Sequence, residues 1–80
     1  MELSIQEQEE LKAHLMATDE EFRRIAVQHA EVKRRVAEIE ANPHPSEFEI
    51  QEEARLKKLK LALKDKMLEL MHAYRQTTAA

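Results

Sequence analysis

The residues that could do chemistry are few and scattered. Four histidines, His14, His29, His44 and His72, could ligate a metal or move a proton near neutral pH. No two of them stand four apart, the spacing that sets two imidazoles on one face of a helix, so no metal site is expected. His29 lies on an apolar stripe, where burial would hold it neutral and make packing sensitive to pH. Asp65 follows Lys64 directly, and adjacent residues point to different faces of a helix. It is expected to pair with Lys58, Lys66, Arg23 or Arg24 rather than to act as a catalytic acid. Cysteine is absent, which removes thiolate chemistry, disulfides and sulfur ligands together. Nothing supplies a nucleophile, a base and an electrophile to one concavity, so neither catalysis nor a cofactor is expected.

The basic residues are better organised. LKKLKLALKDKM, residues 56–67, threads five lysines through leucines. Lys57, Lys60 and Lys64, with Arg34 and Arg35 at the neighbouring level, are the residues that a nucleic-acid face would use. Against that reading, tryptophan is absent, no aromatics interleave with the basic residues, and the net charge is −3. Single-strand binders need stacking platforms, and duplex binders usually show a net basic domain. The same lysines can serve instead as a solvated face with ion pairs to Glu53 and Asp65. Charge is strongly segregated: residues 1–21 hold seven acids against one lysine, 42–54 four acids and no base, and 55–67 six bases against one acid. Such blocks suit pairing between helices or between chains.

The elements that must position these groups are helices. The chain has 80 residues, no glycine, two prolines, 42% hydrophobic and 36% charged residues, a composition that disfavours sheets and their tight turns. One small domain with a thin core is expected, since a chain this short buries only about 60% of the surface its unfolded form exposes. No apolar run approaches the roughly 20 residues that span a bilayer, and the start MELSIQEQEE is acidic and polar, unlike a signal peptide. The expectation is a cytoplasmic protein without membrane contact.

Punctuation divides the chain. In ANPHPS, residues 41–46, Asn42 and His44 each precede a proline and are pushed out of the α region. Ser46 with Glu49 then has the spacing of a capping box, and similar signals stand at Ser4 with Glu7 and at Thr18 with Glu21. The expected order is an N-terminal helix over 4–17, a helix over 19–41, a connector at 42–46, a helix over 47–76 and a tail at 77–80. A straight helix through Thr18 remains an alternative to the break. Leu11, Leu15, Phe22, Ile25, Val32, Val36 and Ile39, with Thr18 and His29 inserted, step by four and three in a heptad seam. Leu56, Leu59, Leu63, Met67, Leu70 and Tyr74 form its counterpart. A short connector between two such stripes predicts an all-α fold, an antiparallel coiled-coil-like helical hairpin with a short additional N-terminal helix. Facing residue numbers should sum to about 89, so that Phe22 meets Met67 and Leu15 approaches Tyr74.

LKKLKLALKDKM, with the spacing of Leu15, Asp19 and Phe22, resembles the YdcH-like family of short bacterial proteins over roughly residues 11–72. Members end in a leucine, paired lysines, a basic-leucine step and LKDE. This sequence has Glu20 where members often carry a helix-opening proline, and His29 where an aromatic is common. The resemblance implies a helical hairpin of unknown biochemical function and carries over no catalytic residue.

One stripe is left unused by the hairpin. Ile50, Ala54, Leu61 and Leu68 fall within about 40° of one another on a helical wheel, roughly 140° from the seam, and Met71 widens the row. Folded-back residues 4–17 could cover it. Otherwise it is a candidate interface, and the expected partners are a second copy, as homodimer or other homo-oligomer, or a helical protein, rather than nucleic acid.

Overall fold

The computed structural model describes residues 4–78 of the chain, with the side chains of residues 77 and 78 left aside. Three helices and, among the described residues, no strand make up the fold: α1 (Ile5–Thr18), α2 (Glu20–Ala41) and α3 (Glu47–Thr78). The all-α expectation holds, and α2 and α3 pack as a helical hairpin with α1 against them. Residues 77 and 78 continue α3 rather than forming a tail, and residues 79 and 80 of the expected tail lie outside the described residues.

Each helix starts where a side chain can accept an orphan amide. Ser4 Oγ accepts from the Glu7 amide at 3.1 Å. At the connector the box closes both ways: the Glu49 amide donates to Ser46 Oγ at 3.1 Å, and the Ser46 amide donates to Glu49 Oε1 at 3.0 Å. Asn42, extended ahead of Pro43, accepts the His44 amide on Oδ1 at 3.0 Å, which tightens the turn.

The chain does break near Thr18, but the capping residue is Asp19. Thr18 stays inside α1, its hydroxyl donating back to the His14 carbonyl at 2.8 Å. Asp19 takes an extended conformation (φ −115°, ψ 110°) and accepts the Phe22 amide on Oδ1 at 3.1 Å. A threonine hydroxyl in a helix readily back-bonds within its own turn, whereas an aspartate accepts more strongly and its charge suits the positive end of α2. One extended residue is enough to turn α1 back along the hairpin. Glu9, Lys12, Ala13 and Met16 of α1 then line the same cavity as Ala26, His29, Ala30 and Lys33 of α2.

Phe22 is fully buried at the point where the three helices meet, in one cluster with Leu15, Ile25, Met67 and Met71. Val36 and Ile39 continue the buried seam toward the connector. Phe22 and Met67 share the cluster, and Arg35 pairs with Glu52, so facing numbers do sum near the expected value. Leu59 departs from the expectation. It is 45% exposed although it belongs to the seam by spacing, while Met71 is only 8% exposed. At 100° per residue, Leu59 lies about 80° from Met67 on one side and Met71 about 40° on the other. The α1 helix covers only the Met71 side.

Phe22→Ala should therefore destabilise the fold by about 3 kcal/mol and Leu59→Ala by less than about 1 kcal/mol, read from urea midpoints followed by helicity. Equal losses at the two positions would contradict this packing.

Candidate interaction surface

On α3, Ile50 is 54% exposed, Leu61 59% and Leu68 47%, and Ala54 is also exposed. These four form a row on the outer side of the helix. Met71 does not belong to it: folded-back α1 draws it into the core cluster, so it corrects the expected row rather than extending it. The α1 helix reaches Leu68, since Ile5, Leu68 and Met71 line one groove, which Lys64 one turn nearer the connector also lines. Its 14 residues span about 21 Å, and Leu61 stands about 10 Å nearer the connector than Leu68. Leu61, Ala54 and Ile50 are not among the residues that line this groove.

The basic residues do not form one patch. Arg35 is held by Glu52 through two hydrogen bonds, 2.8 Å from Nη2 and 3.2 Å from Nε, and reaches Glu38 at 3.4 Å. Lys57 pairs with Glu40 across the hairpin at 3.2 Å and more loosely with Glu53 at 3.9 Å. Two of the five residues of the nucleic-acid alternative are thus tied to carboxylates, whereas Arg34, Lys60 and Lys64 form no ion pair among the described residues. Asp65 has none of the expected partners. Lys66 turns to Glu69 at 3.9 Å, and Arg23 Nε donates to the Met16 carbonyl at 2.9 Å.

His14 carries a contact that spacing did not signal. Its Nε2 lies 2.7 Å from the Tyr74 hydroxyl, with ring centroids 5.2 Å apart, which ties α1 to the far end of α3. The facing of Leu15 and Tyr74 was legible, but a polar pair one residue off the seam has no periodicity to reveal it. Among the described residues no group of three or more His, Asp or Glu could hold a metal ion. None of the described helices is long and apolar enough to cross a membrane.

His29 is half-buried in the trough between α1 and the hairpin. Burial is the main force holding its pKa below the ordinary 6.5, and Lys12, Lys33, Lys64 and Lys60 add to it in that order. Each of the three helices thus contributes positive charge around this one imidazole. At the connector the directions are those of stabilised carboxylates. Hydrogen bonds from the Ser46 amide and hydroxyl lower Glu49, and the hydrogen bond from Arg35 lowers Glu52.

The model of a family described as Protein of unknown function (DUF465) matches residues 22–71. The chain belongs to this family. The DUF465 match opens on buried Phe22 and closes on buried Met71, so it takes in all but the first two residues of α2, the connector and most of α3, and α1 lies outside it. No curated protein and no solved structure matches the chain.

The depressed pKa of His29 sets a pH dependence for this DUF465 protein. Between the folded and unfolded pKa values the unfolded chain holds more protons, so this contribution is complete above the unfolded value of 6.5 and is lost as pH falls through the folded one. Glu49 and Glu52, both lowered, contribute stability that is present above 4.5 and lost as pH falls below it. His29→Gln should flatten the fall in thermal midpoint between about pH 7.5 and pH 5 and leave the more acidic loss in place. An unchanged slope in that window would assign it to another group.

Proposed function

We propose that the protein is a small non-enzymatic helical interaction module that self-associates or docks on a helical partner through Ile50, Ala54, Leu61 and Leu68. The supporting observation is the exposed apolar row on α3, whose Ile50, Leu61 and Leu68 stay 47–59% exposed with α1 packed in place. Apolar residues exposed singly are ordinary, but a row on one helix face is a surface for another helix. The charge order favours a second copy. Antiparallel α3 helices crossing near residue 55, between the acids Glu47, Glu49, Glu52 and Glu53 and the lysines Lys57, Lys58, Lys60 and Lys64, set the acidic start of one beside the basic band of the other, whereas a crossing at the row's midpoint sets lysine against lysine. The family description gives no biochemical role, and the finer likeness to YdcH-like short bacterial proteins rests on LKKLKLALKDKM with the spacing of Leu15, Asp19 and Phe22.

Sedimentation at micromolar concentration should give a mass above that of the monomer, and Leu61→Lys with Leu68→Lys should return the chain to monomer. A parent that stays monomeric and helical on dilution, or a double variant of unchanged mass, leaves the row as ordinary exposed leucine.

The same proposal predicts no tight nucleic-acid binding at physiological salt. A salt-sensitive mobility shift, abolished by changing Lys57, Lys60 and Lys64 to glutamate, would favour the basic band over the apolar row.

A further inference from the structure

The trough between α1 and the hairpin has two joined lobes, of about 490 and 320 Å³, that share Glu9, Lys12, His29, Lys33 and Met67. These volumes fall within the range of about 300–1,000 Å³ typical of small-molecule sites. Apolar groups dominate its interior. One lobe runs over Ala13, Ala26 and Ala30 to Met16, and the other over Ile5 and Leu68 to Met71. Three of the chain's four methionines line it, and their unbranched, polarisable side chains adapt to an irregular apolar guest. Residues 5–10 of α1, which form its outer wall, are exposed, so this half of the helix has little else to pack on.

The rim is cationic. Lys12 of α1, Lys33 of α2 and Lys64 of α3 line one lobe, Lys60 acts on the same imidazole, and none of the four has an ion pair among the described residues. That is unusual in a chain with 16 acidic residues against 13 basic ones, where Lys57 and Lys66 both find glutamates. Glu9 is the one carboxylate among the lining residues and offsets a single charge. An apolar interior with excess positive charge at its mouth complements a guest that is apolar along its length and anionic at one end.

We propose that this trough binds a single-chain carboxylate, with the carboxylate held by Lys12, Lys33 and Lys64 beside His29 and the alkyl chain laid over Met16, Met67 and Met71. The guest replaces water over Ile5, Leu68 and half-buried Met16, which keep exposed surface where Met67 and Met71 form the buried floor, and gives α1 an apolar surface to close on. It also supplies the negative charge that the lysines lack, which favours protonated His29. The site lies under α1 and shares Leu68 with the α3 row, but Leu61 is not among its lining residues, so a change at Leu61 tests the row apart from the trough.

The test is titration of the full chain with decanoate below its micellar concentration, by calorimetry and by following His29 in NMR across pH. Saturable binding of one decanoate per chain is expected, with the His29 titration moved to higher pH. Acetate, which has the charge without the chain, should leave His29 unmoved, and decanol should bind at least about tenfold more weakly than decanoate. Lys33→Gln with Lys64→Gln should weaken decanoate about tenfold at unchanged helicity. Leu61→Lys, which disrupts the α3 row, should bind as the parent does. Absence of saturable binding, an equal His29 shift with acetate, decanol binding as tightly as decanoate or affinity unchanged by the two lysine substitutions would overturn the site. Loss of binding in Leu61→Lys would move it to the α3 row.

Discussion

The structure depends on the burial of Phe22 where three helices meet. Two helices joined by a short connector can bury only facing stripes, and such stripes keep water along both edges. A third helix at the open end removes one of those edges. Phe22 sits three residues after Asp19, so the side chain that breaks the helix and caps α2 also fixes the residue around which α1 packs. Leu15 arrives from α1 and Met67 and Met71 from α3, and all are buried only because the chain turns at a single extended residue. A straight helix through Thr18 would carry Leu15 away from Met71 and leave Phe22 at the edge of a two-helix stripe.

The two ends of the hairpin are held by different physics. Toward the connector, reciprocal caps and the Arg35–Glu52 pair fix the register, and their directionality makes a shift of one turn costly. At the open end the cluster is apolar, supplemented by the His14–Tyr74 contact. Between them, Val32, Leu56 and Leu63 are half-buried and Leu59 is exposed. This middle stretch of α3 is where the outer row runs uncovered, which is why a second helix would gain most by packing there.

What was legible in the sequence followed from periodicity and punctuation. The heptad steps located both seams, the two prolines located the turn, and Ser46 with Glu49 set the start of α3, because each reports a local rule with few competitors. Thr18 and Asp19 are adjacent and both can cap, so spacing alone could not choose between a hydroxyl that back-bonds and a carboxylate that does not. Leu59 and Met71 illustrate a different loss. A wheel ranks residues by angle from a seam, but which flank of that seam a third helix covers depends on the turn at Asp19. The trough was invisible for the same reason, since its walls come from residues about twenty and about fifty apart in the chain.

Charge segregation acquires its meaning only after pairs made within the chain are set aside. Lys57 joins Glu40 and Glu53, Arg35 joins Glu52 and Glu38, and Lys66 reaches Glu69, so the reading of LKKLKLALKDKM as a solvated face with ion pairs accounts for part of the stretch. Lys60 and Lys64 are not used that way. They stand with Lys12 and Lys33 on the flank that α1 covers, around an imidazole whose protonation they oppose. Exposed like charges repel only weakly where water screens them, but the repulsion grows as a groove excludes water. A cationic rim left uncompensated beside an apolar floor is therefore a state that a negative guest improves more than solvent does. Leu61 lies about 60° farther round the same helix than Lys64 and outside that groove, whereas Leu68 lines it, so the two surfaces of α3 meet at Leu68.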